Sequence, residues 1–222
     1  MNSDKNLFII GADSKIAKDY IKRYGHIYDN LVGIGNSSIS YLDVYQEFEF
    51  KKINEQNRFD NFLKNINLEY SDIIFIADSN KSENLLTTPS QWNAMIDDNV
   101  KVLLSFKILS NYFSEKVSIV SIISSYRVQD NMQKISNSIS IGLLEHLSLK
   151  LSLIDNRDIR VNTLIPITVK TTSSSFYLEK SIFPKIPYRK FVSVQNVSDI
   201  ANFLLDDKSN SIRGQSITLN YE

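Results

Sequence analysis

The segment "KISNSIS", residues 134–140, offers three hydroxyls and, after Lys134, no ionisable group. Serine exchanges hydrogen bonds readily, but it is a far weaker acid than a phenol of pKa about 10. Other reactive groups are scarce. The chain has no cysteine, which excludes disulfides, thiolate catalysis and cysteine-ligated zinc. His26 and His146 are its only histidines, too few for a histidine-built metal centre, although carboxylates could hold magnesium. Asp97 and Asp98 are adjacent, and neighbours on a helix point in different directions; they read as surface charges. Lys134 reads as a solvated residue at a helix start, and Tyr126 in "SSYR" as an aromatic packed at a strand end. In "IIGADSKIA" (9–17), Gly11 can make a tight turn and Lys15 stands at a helix N-terminus, where anions are favoured.

The elements that must position these groups alternate. Strand-length apolar runs are "NLFIIGA" (6–12), "NLVGIG" (30–35), "EFEFKKI" (47–53), "SDIIFIAD" (71–78), "KVSIVSIISS" (116–125), "IRVNTLIPI" (159–167) and "SITLN" near the end. Between them lie helix-period segments: "KIAKDYIKRY" (15–24), "QNRFDNFLKNI" with Phe59, Phe62, Leu63 and Ile66 on one side, and two long helices over 89–113 and 139–155. Strand and helix in alternation imply parallel strands, right-handed crossovers and a sheet covered on both faces. The expected architecture is α/β, a Rossmann-like doubly wound parallel sheet, in one domain over residues 1–222. Ligands of such sheets bind beyond the carboxyl ends of the strands. The polar-then-aromatic stretch 171–191 breaks the rhythm and reads as a loop or lid at that edge. Lysine and arginine total 25, as do aspartate and glutamate, so no net field attracts nucleic acid or an anionic membrane. The N-terminal apolar run is too short for a signal peptide and nothing approaches a membrane span; a cytoplasmic location is expected. Glycine is the informative shortage, six residues in all.

Four segments, in order, resemble the short-chain dehydrogenase/reductase family: "QWNAMIDDNV", "VSIVSIISS", "IRVNTLIPITVKT" and "VSVQNVSDIANFLLDDKSNSIRGQSITLN". The resemblance runs nearly end to end. It implies the doubly wound fold, NAD or NADP as cofactor, no metal, Asn99 as the family's structural and catalytic asparagine, and Ser125 as its catalytic serine. It also implies that Gly11, Asp13, Ser14, Lys15, Ile16, Ala77 and Thr171 line the cofactor. In the family the two long helices form a four-helix dimer interface, so a homodimer is expected, or a heteromer with a related subunit. His146 is expected at a helix–helix contact, and Gly142 as an allowance for close helix packing.

Departures from the family pattern bear on function. Its nucleotide loop has three glycines; here Gly11 is kept, Lys15 stands at the second and Ala17 at the third. The second glycine lets backbone approach the pyrophosphate, so Lys15 either crowds that approach, weakening or abolishing binding, or adds an attractive charge. "GIGNSS" after the second strand has neither an acid for a free ribose nor an arginine for a 2′-phosphate, and Lys15 nudges preference toward NADP. Of the family's "NNAG" stretch, "FIAD" keeps Ala77. Counting back from Arg160, the family's tyrosine and lysine fall on Ser136 and Ser140, with no gap between 136 and 162. Hydride reduction of a carbonyl creates an alkoxide that must gain a proton as it forms. Lowering a phenol by three pKa units with a neighbouring ammonium is worth about 4 kcal/mol. Two serines supply neither donor nor field.

Three readings follow. In the first, the chain keeps the fold and a nucleotide without standard hydride transfer, acting as a binding, regulatory or scaffolding subunit or catalysing something different at the same cleft. In the second it is an active NAD(P)H-dependent reductase of a small carbonyl, sugar-nucleotide or acyl substrate with a displaced donor; Tyr126 is the candidate, since "SSYR" loosely resembles enoyl reductases of this superfamily. In the third it is a structural partner subunit whose cofactor site has collapsed.

Overall fold

The computed structural model describes residues 4–35, 37, 39–47, 55–77, 106–123, 142–143, 145–147, 149–150, 158–166 and 192–219. Seven strands form one sheet: β1 (Asn6–Ile10), β2 (Asn30–Gly35), β3 (Val44–Glu47), β4 (Tyr70–Ala77), β5 (Phe113–Ile123), β6 (Asp158–Pro166) and β7 (Ser216–Leu219). Their order is β3-β2-β1-β4-β5-β6-β7 and every pairing is parallel. The chain builds outward from β1 to one edge, then returns across it to β4. That reversal makes β1/β4 the switch point, where adjacent loops diverge and leave a crevice at the carboxyl edge.

Side chains alternate between the two faces, and both are buried. Phe8, Ile10, Ile73, Phe75, Ile119 and Val161 meet Phe59 and Leu63 of α2 (Glu55–Ile66), along with Phe106 and Leu109 at the end of another helix. On the opposite face Leu7, Ile9, Ile74, Ile76 and Leu164 meet α1 (Lys15–Tyr24) and α3 (Val194–Leu205). Strands buried on both faces explain the near-continuous apolar runs. Local signals start and stop the helices. The Ser14 and Ser193 hydroxyls accept the amides of Ala17 and Asn196 at 3.1 and 3.0 Å, and Asn67, at φ +53°, closes α2.

Two boundaries differ from the sequence expectation. The third strand lies at Val44–Glu47 and overlaps "EFEFKKI" only at Glu47; residues 48–53 lie outside the described residues. Pairing with β2 selects 44–47, placing Val44 opposite Val32, and such pairing overrides local strand preference. β5 begins at Phe113, three residues before Lys116, because Phe113 pairs with Tyr70. The described residues of the second long helix are helical; His146 is exposed there, and a Cβ on Gly142 would meet nothing within 4 Å.

A row of polar side chains crosses the α1/α3 face toward the amino ends of the strands. Asp72, Ser118 and Arg160 are register partners on β4, β5 and β6. The Arg160 guanidinium, 2% exposed, donates to the carbonyls of Leu204 (2.6 Å), Leu205 (3.2 Å), Asp206 (3.1 Å) and Ser209 (3.1 Å), and to Ser118 Oγ (2.8 Å). One cation thus satisfies the C-terminal carbonyls of α3 and fastens that helix to the sheet. Burial pulls it down from its ordinary pKa, partly offset by Asp72. Burial also holds the Asp72 carboxyl above its ordinary value, although the Lys5 ammonium lies 3.3 Å from its Oδ2.

Arg160→Ala is expected to cost about 3–5 kcal/mol in urea unfolding, because the carbonyls it serves stay buried, with Arg160→Lys intermediate. For Asp72 the sign follows from linkage. A carboxyl raised in the folded state loses stability as pH rises from the ordinary carboxylate range through its raised value. Asp72→Asn is therefore expected to raise the melting temperature at pH 7 by about 2–4 °C, the size of a 1 kcal/mol change in a chain this long. The gain should vanish near pH 3.

Candidate functional site: the β1–α1 turn

The chain leaves β1 at Ile10 and enters α1 at Lys15 within four residues. Gly11 takes φ +79°, a left-handed conformation that L-side chains rarely adopt. Space also demands glycine, since a Cβ there would lie 2.5 Å from the carbonyl oxygen of Ile76 on β4. The turn therefore sits against β4 at the switch point. The amides of Gly11 and Ala12 both donate to Ile34 O of β2, at 3.0 and 2.9 Å, and Ser14 N donates to Gly11 O at 3.1 Å. Tyr41 closes the turn from outside by donating to Ala12 O.

β2 has been cleared to receive this turn. A Cβ on Gly33 would meet Ala12 Cβ at 2.9 Å, and one on Gly35 would meet Asp13 Oδ1 at 2.4 Å. Half of the chain's six glycines, Gly11, Gly33 and Gly35, thus serve one turn. Asp13 reaches over the end of β2, where its Oδ2 accepts a hydrogen bond from Ser37 Oγ at 3.0 Å. Tyr45 borders the same place, its hydroxyl 2.8 Å from the would-be Gly35 Cβ. Burial, and secondarily the Asp13 charge, push the Tyr45 phenol up to about 12; the same two causes raise Tyr41.

Of the residues the sequence nominated, five gather here. Gly11 forms the turn, Asp13 covers Gly35, Ser14 caps α1, Lys15 is its exposed first residue and Ile16 is buried beneath it. Ala77 ends β4, paired with Ile123 at the end of β5. The first turn of α1 holds no acidic residue, so its partial positive charge faces the carboxyl edge, with the Asp13 carboxylate set to one side over β2. That suits an anion. Asn99, Ser125, Tyr126, Ser136, Ser140 and Thr171 lie outside the described residues, as does the whole stretch from 171 to 191. Gly33, Gly35, Ser37, Tyr41 and Tyr45 escaped the sequence reading. The available signal was two glycines inside an otherwise apolar strand, a sign that another backbone approaches closely. Among the described residues no group of three or more acidic or histidine side chains could hold a metal, and no helix is long and apolar enough to cross a membrane.

Sheet order, glycine turn and helix N-terminus define a Rossmann-like doubly wound α/β protein, and comparisons narrow it. A family model described as enoyl-(acyl carrier protein) reductase matches residues 35–221, and the chain belongs to this branch of the short-chain dehydrogenase/reductase family. No curated protein matches the sequence. Among solved structures, a short chain dehydrogenase family protein from Francisella tularensis subsp. tularensis SCHU S4 superposes with a TM-score of 0.80 at 20% identity, covering 98% of both chains. Ligand-free aldohexose dehydrogenase from Thermoplasma acidophilum gives 0.80 at 18%, covering 98% of this chain and 93% of that one. Acetoin dehydrogenase from Enterobacter cloacae gives 0.80 at 14%, covering 98% and 95%. At these identities the likeness is one of fold.

Gly11→Ala is expected to cost at least about 2 kcal/mol, from left-handed backbone strain plus the clash with Ile76 O, measured by chemical unfolding.

Proposed function

We propose that this chain is a family member with a degenerate active site, which binds a nicotinamide dinucleotide at the carboxyl edge of its sheet without performing tyrosine/lysine hydride transfer. One observation carries the second half. The gapless count back from Arg160 and Asn162, both on β6, reaches Ser136 and Ser140 where the family has its phenol and ammonium. The turn supports the first half. Gly11 brings backbone to the switch point, Ser14 caps α1, and Lys15 adds positive charge where a diphosphate would lie. A bound nicotinamide would supply a hydride; Gly11, Asp13, Ser14, Lys15 and Ile16 would hold the adenosine diphosphate portion. Nor is this turn filled by the aromatic residue beside it. Phe75 points to the other face of the sheet and packs against Phe106, the rings tilted at 48° with a centroid distance of 5.4 Å, which argues against a collapsed site. The chain would then act as a binding or regulatory subunit. Self-association through the two long helices belongs to the same proposal, and the exposure of Leu149 supports it.

Calorimetric titration with NADH and NADPH is expected to give saturable binding. Rapid mixing of the loaded protein with ketone or enoyl-thioester substrates is expected to give no oxidation of the bound coenzyme within seconds. Ser136→Tyr combined with Ser140→Lys is expected to raise any residual rate by about 10²-fold or more, the usual contribution of a positioned acid. Robust turnover by the natural chain, unchanged in Ser136→Ala/Ser140→Ala, would overturn the reading.

A further inference from the structure

We propose that Asp13 selects the coenzyme: lying over the end of β2, its carboxylate takes the vicinal hydroxyls of an adenosine ribose and repels a 2′-phosphate, so the site prefers NAD(H) to NADP(H). This rests on the dinucleotide-binding reading above and deepens it. In doubly wound sheets the ribose next to the adenine lies beyond the end of the second strand, and an acid there accepts hydrogen bonds from its hydroxyls. Here β2 ends in "GIG" and brings no acid of its own. The carboxylate arrives instead from the β1–α1 turn. A would-be Cβ on Gly35 would lie 2.4 Å from its Oδ1 and 2.9 Å from its Cγ, so only glycine lets Asp13 occupy this place.

The surroundings reinforce the sign. Ser37 donates to Oδ2 at 3.0 Å, fixing the carboxylate while Oδ1 rests over Gly35. Tyr41 and Tyr45 border it as neutral phenols that feel its charge. From Asn30 to Glu47 the sequence contains no lysine or arginine but includes Asp43 and Glu47, so this segment brings no cation to a 2′-phosphate. Two hydroxyls of a free ribose are donors and match a fixed acceptor; a phosphate dianion has only acceptors to offer. This reverses the nudge toward NADP that Lys15 gives in sequence, because Asp13 is the charged group placed directly on the end of β2.

The test is calorimetric titration with NADH, NADPH and ADP-ribose at low and high salt, for the natural chain and for Asp13→Asn. NADH is expected to bind about tenfold or more tighter than NADPH, with ADP-ribose also binding. That preference should shrink as salt screens the repulsion, a readout that needs no variant. Asp13→Asn is expected to cut the ratio about tenfold, mainly by tightening NADPH. Equal or tighter NADPH binding by the natural chain, or an unchanged ratio in a folded Asp13→Asn protein, would overturn the proposal while leaving dinucleotide binding intact. Binding of none of the three ligands would remove the site itself and this inference with it.

Discussion

The contact between Gly11 and the backbone of Ile76 is the constraint on which the site depends. A chain leaving a central parallel strand must turn sharply to lay its helix back on the sheet, and here the turn presses against the neighbouring strand. Within 2.5 Å of Ile76 O there is room for hydrogen but not for a methyl group. The left-handed backbone at Gly11 then sends Ala12 and Asp13 sideways over β2, where Gly33 and Gly35 leave a flat surface. One steric requirement thus fixes where α1 starts, where its dipole points and where the Asp13 carboxylate lies.

Charge is distributed unequally between the two edges of the sheet. Toward the amino ends, Arg160 is enclosed and its hydrogens are used to close α3. A guanidinium so occupied is structural, and its neighbour Asp72 is tolerated at a cost in desolvation. At the carboxyl edge the groups are half-buried or exposed: Asp13, Ser14, Lys15, Ser37. Groups still reached by water can exchange it for a ligand, whereas the Arg160 guanidinium is enclosed and committed to the carbonyls that end α3.

Family membership and proton-transfer chemistry are separable, because different parts of a chain carry them. The fold follows from apolar runs, glycines and caps spread over the whole length. Catalysis by hydride transfer rests on a few ionisable groups.

Sequence alone determined the architecture. Runs such as "NLFII" and "SDIIFIA", too apolar for a strand wetted on one face, demanded a sheet covered twice, and the 3.6-residue spacing of Phe59, Phe62, Leu63 and Ile66 demanded a helix upon it. It also supplied the serines at 136 and 140 on which the proposed loss of hydride transfer rests, since residue type needs no coordinates. Tertiary structure decided which four residues form β3, because an edge strand is chosen by its partner's register rather than by its own composition. Likewise it decided that an aspartate from the first turn stands on the last glycine of the second strand. Asp13 and Gly35 lie far apart along the chain, and no local spacing encodes the meeting of two loops at the end of a parallel pair.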